Sequence, residues 1–181
     1  MKKVFYSLCA ATLLLAACDG PEDLTYRYGD VFCYYPPELT VTEERIQDGV
    51  HVVFKKDDRN FMLMDIQDMG NRYVDMSNED VQASIEKEAE QMFNDVKVRE
   101  NLTLTATPFF EFSYPDRWSP ERKFEREWRY EGVKGDSPCY GTVSVMILES
   151  YKLTMHYEAT SQDGKTPFAL INTTLRLKPE E

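Results

Sequence analysis

Hydrophobic and polar residues alternate with a period of two along most of the chain after residue 29. In the run 151–159, for example, every odd position is apolar or aromatic and every even position is polar. This alternation predicts β-strands with one buried face and one face that is wet or partly covered, as in antiparallel sheets. We expect strands over residues 31–35, 39–46, 50–55, 61–66, 102–114, 124–131, 143–147 and 151–159.

Two short segments predict where the first strands turn. Pro36 and Pro37 follow the first run, and proline cannot donate a hydrogen bond to a strand ladder. Gln47, Asp48 and Gly49 separate the second and third runs. Asp-Gly between two such runs is a strong hairpin signal, because a type I′ turn needs positive φ angles.

One segment has helical rather than strand periodicity. Ser77 can cap a helix, with Asp80 three residues later, and apolar residues then recur at helical spacing. They are Val81, Ile85, Ala89, Met92, Phe93 and Val96. The pattern predicts an amphipathic helix of about five turns that packs on the sheet; a helix that binds a partner or a membrane surface is the alternative. Thr166 followed by Pro167 predicts a short final helix.

The order of these elements predicts an α+β fold. We expect a mainly antiparallel β-sheet meander with one long central helix and a short C-terminal helix packed on it. The length suits one domain with its own hydrophobic core, and the sequence contains no internal repeat or low-complexity tract. We therefore expect a single α+β domain over residues 29–181.

The N-terminus has the parts of a bacterial export signal over residues 1–17. Lys2 and Lys3 precede an apolar stretch that is well short of the roughly 20 residues needed for a membrane-spanning helix. Leu15-Ala16-Ala17-Cys18 resembles the lipobox of bacterial lipoproteins, since small residues fit the signal peptidase and the thiol receives the lipid. We expect cleavage after residue 17 and acylation of Cys18. An ordinary signal peptide beside a chance cysteine is the alternative.

Residues 18–28 are then expected to form a lipidated tether, because Gly20, Pro21 and several acidic residues follow the cysteine. Asp19, directly after Cys18, resembles the inner-membrane retention signal of one bacterial lineage. In other lineages, acidic residues at this place resemble an outer-membrane or surface-export signal. We expect a lipid anchor in the cell envelope, with the outer membrane, on its periplasmic or surface side, favoured over the inner membrane.

The acidic charge of the chain excludes two classes of partner. The net charge is −11, and removal of Lys2 and Lys3 with the signal lowers the 21 basic residues to 19, against 32 acidic ones. Nucleic acid binding needs a basic footprint, so we exclude it. We also exclude a second, electrostatic attachment to anionic lipid, so the acyl chains are expected to provide the anchoring.

Two cysteines remain after export. Cys9 leaves with the signal and Cys18 is acylated, so only Cys33 and Cys139 keep their thiols. An exported protein meets an oxidising compartment, which favours a disulfide between the two. Two unpaired, buried cysteines that act as small apolar residues are the alternative.

The sequence lacks the motifs of the common catalytic and metal sites. His51 and His156 are the only histidines; both are expected at the surface of strands, and neither has a zinc-binding spacing. The residues from Asp65 onward do not match an EF-hand calcium loop, which needs oxygen ligands at its first, third and fifth positions. Gln67 and Met69 occupy the third and fifth positions here. We expect no metal and no cofactor. A carboxylate pair for glycoside hydrolysis is not excluded, because the distance between two such carboxylates depends on the fold and not on their spacing in the sequence.

The layout resembles the Mog1/PsbP-like fold, which includes bacterial lipoproteins of the DcrB type. The resemblance rests on an aromatic strand that runs into proline over residues 29–36, and on the helix from Ser77 to about Val96 after the first meander. The ending is also similar, with a strand over 151–159 and then Thr166-Pro167-Phe168 continuing to Leu175. Members of this fold have varied roles, so the resemblance implies a fold and no activity.

Two functional hypotheses of different class follow. The first is a non-enzymatic, envelope-tethered binding or assembly module with an envelope protein as partner. Its candidate contact surface is the loop around Arg117 and Trp118, because exposed tryptophan and arginine supply much of the energy of protein contacts. The second is an envelope hydrolase that uses a carboxylate pair.

Overall fold

The computed structural model describes residues 23–113 and 123–177. Within these ranges the chain forms eleven strands, two α-helices and one 3₁₀ turn. The helices are α1 (Asn78–Arg99) and α2 (Thr166–Thr174). The strands are β1 (Leu24–Tyr28), β2 (Val31–Tyr35), β3 (Thr40–Ile46), β4 (Gly49–Asp57), β5 (Asn60–Asp68), β6 (Thr103–Leu104), β7 (Phe109–Ser113), β8 (Lys123–Lys134), β9 (Ser137–Leu148), β10 (Tyr151–Ala159) and β11 (Arg176–Leu177).

Eight of these strands form one antiparallel sheet. Its order is β3-β4-β5-β10-β9-β8-β6, and β7 also pairs with β8, on the edge that faces away from β9. The other three strands form a small antiparallel sheet in the order β1-β2-β11. The predicted α+β class is confirmed, because mostly antiparallel strands combine with helices in one chain.

Different elements cover the two faces of the large sheet. α1 packs on one face, chiefly on β8 and β9. Its buried residues are Val81, Ile85, Ala89, Phe93 and Val96. On the opposite face, the largest hydrophobic cluster joins the sheet to α2 and to the small sheet. Met64 and Met155 of the large sheet pack there in one cluster with Cys33 of β2 and Phe168 of α2.

The start of α1 follows from its sequence. The Ser77 hydroxyl oxygen accepts a hydrogen bond from the backbone N–H of Asp80 at 3.1 Å, so the predicted cap is confirmed. Lys97 and Arg99 lie in the last turn, where positive charge interacts favourably with the helix dipole. No helix in the described ranges is long and apolar enough to cross a membrane.

The hairpin predicted around Asp48 and Gly49 is confirmed, but the residue with a positive φ in the turn is Asp48 and not the glycine. Asp48 has the positive φ of 57°, while Gly49 already begins β4. A Cβ atom on Gly49 would lie 2.1 Å from the carbonyl oxygen of Ile66 on β5. Glycine is therefore needed there for the close approach of two backbones rather than for the turn.

Two predicted boundaries are wrong. The single strand expected over 102–114 is split into β6 and β7 by residues 105–108, where Pro108 cannot donate to a ladder. Residues 24–28, expected in the tether, form β1 and pair with β2. The reason is that Tyr26 of β1 is buried, with its ring edge against Phe54 at a centroid distance of 5.6 Å.

Candidate ligand-binding groove

An open groove runs between α1 and the uncovered part of the sheet. α1 packs chiefly on β8 and β9, so it leaves β10, β5 and β4 partly open on the same face. The groove has a volume of about 590 Å³. Its sheet wall consists of His51, Leu63, Asp65, Thr154 and His156, and its helix wall consists of Glu88, Gln91, Met92, Asp95, Val96 and Arg99.

The strand register explains why these polar residues meet. Asp65 of β5 lies opposite His51 of β4 on one side and opposite Thr154 of β10 on the other. Two residues further along, Leu63 lies opposite His156. Side chains alternate between the faces of a sheet, so all five point toward the face that α1 only partly covers.

His51 and Asp65 form a hydrogen-bonded pair on the sheet wall. Nδ1 of His51 lies 2.5 Å from Oδ1 of Asp65, and the hydroxyl of Thr154 donates to the other carboxylate oxygen at 3.5 Å. An ionised carboxylate only accepts hydrogen bonds, so Nδ1 of His51 carries the proton. In the neutral ring, Nε2 of His51 is then an acceptor.

His156 belongs to a buried polar network. The hydroxyl of Tyr130 lies 2.8 Å from Nε2 of His156 and donates to Oε2 of Glu158 at 3.0 Å. The single tyrosine proton goes to Glu158, so Nε2–H of His156 donates to the tyrosine oxygen. Lys134 joins the network by donating to Oε1 of Glu158 at 2.6 Å and by pairing with Glu100 at 3.0 Å.

The other ring nitrogen of His156 has no partner. Nδ1 is buried and makes no hydrogen bond to any described residue, although His156 itself lines the groove. This nitrogen has almost no accessible surface, so a molecule in the groove does not reach it unless the wall moves. An unpaired buried polar atom costs roughly 1–3 kcal/mol, which makes this nitrogen an unusual feature of the groove wall.

The network shifts the pKa of its members in opposite directions. Burial opposes ionisation of Glu158, but its hydrogen bonds and charge interactions with His156 and Lys134 lower its pKa from 4.5 to about 2. Burial and the adjacent Glu158 charge raise the pKa of Tyr130 above its usual range, so its hydroxyl keeps its proton. Glu158 is therefore the fixed negative charge of the network, and Tyr130 is a fixed donor.

Gly141 makes room for this network. It lies on β9 between Tyr130 of β8 and Glu158 of β10, in the same cross-strand row. A Cβ atom at this position would lie 2.1 Å from Cζ of Tyr130. Only glycine lets the tyrosine ring lie flat across β9 and reach His156 and Glu158.

Charged residues on the helix wall differ in how they are paired. Glu88 pairs with Lys152 of β10 at 2.7 Å, which ties α1 to the sheet at one end of the groove. Arg99 pairs with its neighbour Glu100 at 3.0 Å. Asp95 lies between these two positions, is exposed, and makes no ion pair within the described residues.

The prediction for His156 is wrong, and the prediction for His51 holds only in part. His156 is 1% exposed because the Tyr130 and Phe61 rings pack against its imidazole. His51 is about one-third exposed at the groove wall. Tyr130 and Glu158 were not recognised as part of a site. The signal was available in the His156-x-Glu158 spacing, which places both side chains on one face of a strand.

The two cysteines expected to form a disulfide are free and buried in the structure. Cys33 belongs to the hydrophobic cluster under α2, whereas Cys139 belongs to the cluster of Phe93 and Tyr130 under α1. Burial raises the pKa of both thiols to about 12, so neither is a reactive thiolate. The structure contains no bond between these two cysteines, and their disulfide after export stays a prediction.

Three other predicted site residues lie outside the described residues. They are Cys18, Arg117 and Trp118. The adjacent strand β7 carries two exposed phenylalanines, Phe109 and Phe110. The guanidinium groups of Arg129 and Arg126 lie over these two rings, 5.7 Å and 4.6 Å from their centroids. An aromatic and cationic surface therefore lies on β7 and β8, the strands that precede and follow residues 114–122 in the sequence.

No protein-family model matches this chain, and no curated protein matches it. Within the described ranges, no group of three or more histidine, cysteine, aspartate or glutamate residues could hold a metal ion. The functional argument therefore rests on the groove and on the residues that line it.

Proposed function

We propose that this protein is a lipid-anchored lipoprotein of the cell envelope whose domain binds a small ligand in the groove between α1 and the sheet. The observation that carries the proposal is a concave space of about 590 Å³ whose walls combine the hydrogen-bonded pair of His51 and Asp65 with the apolar side chains of Leu63, Met92 and Val96. Concave sites of a few hundred cubic ångströms, with a few convergent polar groups, are typical of small-ligand binding.

The lining chemistry favours binding over catalysis. Among the described residues no serine or cysteine lines the groove, and the hydroxyl of Thr154 donates to Asp65 instead of facing an activating base. The apolar part of the wall, formed by Leu63, Met92 and Val96, gives a ligand surface to pack against. Shape and apolar contact with a few orienting polar groups are what a binding module needs.

Ligand binding in the groove is tested by thermal unfolding of the mature lipoprotein in detergent with three probes: spermidine, inorganic phosphate and N-acetylglucosamine. We expect at least one probe to raise Tm, because a ligand at 100 times its Kd stabilises the folded state by about 2.7 kcal/mol. Thr154→Phe fills the groove from β10 and should remove this increase. The matched control is Thr42→Phe, on the exposed face of β3 outside the groove. The proposal fails if no probe raises Tm, or if both variants respond alike.

The anchor is tested separately by Cys18→Ser. We expect this variant to remain uncleaved or to be released in soluble form, because the lipobox cysteine is the acceptor of the lipid. Intact mass of the wild type should give a mature chain that begins at Cys18 and carries acyl chains, and detergent-phase partitioning should follow the wild type only. A mature wild type that begins elsewhere, without acyl mass, contradicts the anchor.

The fold-family resemblance is part of the same proposal. The order of a strand that ends just before Pro36, a first meander, the long helix α1 and a final strand-helix pair supports a Mog1/PsbP-like domain. In this proposal α1 is the central helix and α2 is the short C-terminal helix. The segment around Arg117 and Trp118 is proposed as a second surface, for an envelope protein partner.

An envelope hydrolase is the second candidate function. It is favoured by one arrangement: Asp65 and Asp95 lie on opposite walls of the groove, and Asp65 also orients His51. A carboxylate pair, or a histidine held by a carboxylate, can activate water. Incubation of the wild type with envelope glycan or peptide distinguishes the two functions. Product release that Asp65→Asn and Asp95→Asn both abolish would replace the binding proposal.

A further inference from the structure

The small sheet β1-β2-β11 has one face toward the large sheet and one face away from it. Tyr26 and Cys33 belong to the hydrophobic cluster that joins the two sheets. Side chains alternate along a strand, so Arg27 and Phe32 point to the other side, the outer face of the small sheet. Arg27 and Arg176 lie opposite Phe32 on its two sides, so the three residues form one cross-strand row.

The outer face is a positive surface on an acidic protein. Arg27 and Arg176 are exposed, and neither forms an ion pair within the described residues. The three strands contain no acidic residue, and the helix α2, which packs on β2, contains no charged residue. The nearest carboxylates along the chain, on Asp23 and Asp30, lie outside the strands and pair with neither arginine within the described ranges.

Aromatic rings hold one of the two guanidinium groups at the surface. The guanidinium carbon of Arg176 lies 4.8 Å from the ring centroid of Phe32 and 5.6 Å from that of Tyr34. Its Nη2 donates to the hydroxyl of Tyr34 at 3.5 Å, its one hydrogen bond within the described residues. A guanidinium has five N–H donors in a planar fork that fits a phosphate group, so most of its donors stay available for such a ligand.

The length of the chain before β1 limits how far this sheet can lie from the proposed lipid anchor. Leu24 begins β1 six residues after Cys18, and an extended chain spans at most about 3.6 Å per residue. The start of β1 therefore lies within about 20 Å of the acylated residue, and Arg27 within about 30 Å. A short tether of this kind keeps the small sheet close to the membrane.

We propose that the outer face of the small sheet lies on the membrane, where Arg27 and Arg176 bind the phosphate groups of anionic lipids. This inference rests on the proposed lipid anchor and adds the orientation of the domain on the membrane. The acidic total charge predicts no electrostatic attachment to lipid, but it averages over the whole surface, whereas charges at a membrane interact within about 8–10 Å. An anionic membrane attracts the two arginines and repels the acidic remainder, so the outer face turns toward the lipid.

A fluorophore on the outer face tests this orientation. Thr25 is exposed and lies opposite Tyr34 on that face, so Thr25→Cys is labelled with a polarity-sensitive dye. The native thiols of Cys33 and Cys139 are buried, so they do not compete for the dye in the folded protein. The control is Ala83→Cys, exposed on α1, which packs on the opposite face of the large sheet.

The labelled lipoproteins are placed in vesicles of phosphatidylcholine alone and in vesicles of an equal mixture with phosphatidylglycerol. We expect the dye at position 25 to report a less polar environment in the anionic vesicles only, and high salt to remove this difference. The dye at position 83 should give the same signal in both. Each change, Arg27→Gln or Arg176→Gln, should lower the membrane-bound population of the outer face about fivefold. The matched control is Lys87→Gln with Lys97→Gln, two exposed charges on α1, which should respond as the wild type does.

The outcomes separate this inference from the lipid anchor. A wild type that phosphatidylcholine vesicles do not retain contradicts the anchor. Retention by both vesicles with equal signals at position 25, or a difference that both arginine changes together leave intact, contradicts the lipid contact alone. A signal at position 25 that appears in native envelopes but in neither vesicle assigns the outer face to an acidic protein partner and also contradicts the lipid contact.

Discussion

Gly141→Ala is expected to destabilise the protein by about 3 kcal/mol or more, a large fraction of the roughly 5–15 kcal/mol that stabilises an ordinary domain. The new Cβ atom would lie 2.1 Å from Cζ of Tyr130, closer than any ordinary contact. The tyrosine cannot move aside, because its ring is buried and its hydroxyl is held by His156 and Glu158. Equilibrium unfolding in urea measures the loss.

Two further variants separate this steric effect from a general effect of removing a glycine. Gly135→Asn places a side chain where a Cβ would meet nothing within 4 Å, at a φ of 60° that asparagine tolerates, so it should cost under about 1 kcal/mol. Tyr130→Leu combined with Gly141→Ala should be less destabilising than the sum of the two single changes. A loss below 1 kcal/mol for Gly141→Ala alone contradicts the described packing.

Glu158→Gln is expected to cost about 3 kcal/mol at neutral pH, and this cost should disappear in acid. The pKa of Glu158 is lowered from 4.5 to about 2 in the folded protein, which corresponds to a free energy of about 3 kcal/mol. A carboxyl group with a lowered pKa stabilises the folded state above its unfolded pKa. That contribution falls as the pH drops from about 4.5 toward about 2, where the folded protein also becomes protonated.

Urea unfolding of the wild type and of Glu158→Gln at a series of pH values measures this dependence. The difference between the two proteins should be constant above about pH 5 and close to zero near pH 2. Glu111→Gln is the control, because Glu111 is half exposed in its pair with Arg129 and should cost less than about 1 kcal/mol. A difference that does not change with pH contradicts the role of Glu158 as the buried charge.

Local patterns predicted most of the secondary structure. The helix after Ser77 and the alternating run 151–159 each depend on interactions within a few residues, and both are present as α1 and β10. Residues 24–28 were missed because the Gly20-Pro21 segment before them suggested a continuous tether. This segment is a strand because it pairs with β2 and because Tyr26 packs on Phe54, from a distant part of the chain.

The groove could not be predicted, because it depends on where α1 lies across the sheet. Alternation in β10 places His156 and Glu158 on one face, but it does not tell whether that face is covered. Tyr130 contacts and helps to bury both residues, while Thr154, two residues before His156 on the same face, stays half-buried at the groove. The pairing of His51 with Asp65 depends on the register of β4 and β5, which the turn at Asp58 and Arg59 sets.

The central claim is that the space between α1 and the β4-β5-β10 wall is the ligand site, and photolabelling tests it most directly. The mature lipoprotein is irradiated with a diazirine derivative of a probe that raises Tm, and the labelled residues are identified by peptide mapping. The account predicts labels on the groove walls, at Leu63, Met92 or Val96, which an excess of the underivatised probe suppresses and Thr154→Phe prevents. Labels concentrated elsewhere, for example on Phe109 and Phe110, or labels that the underivatised probe does not reduce, would contradict it.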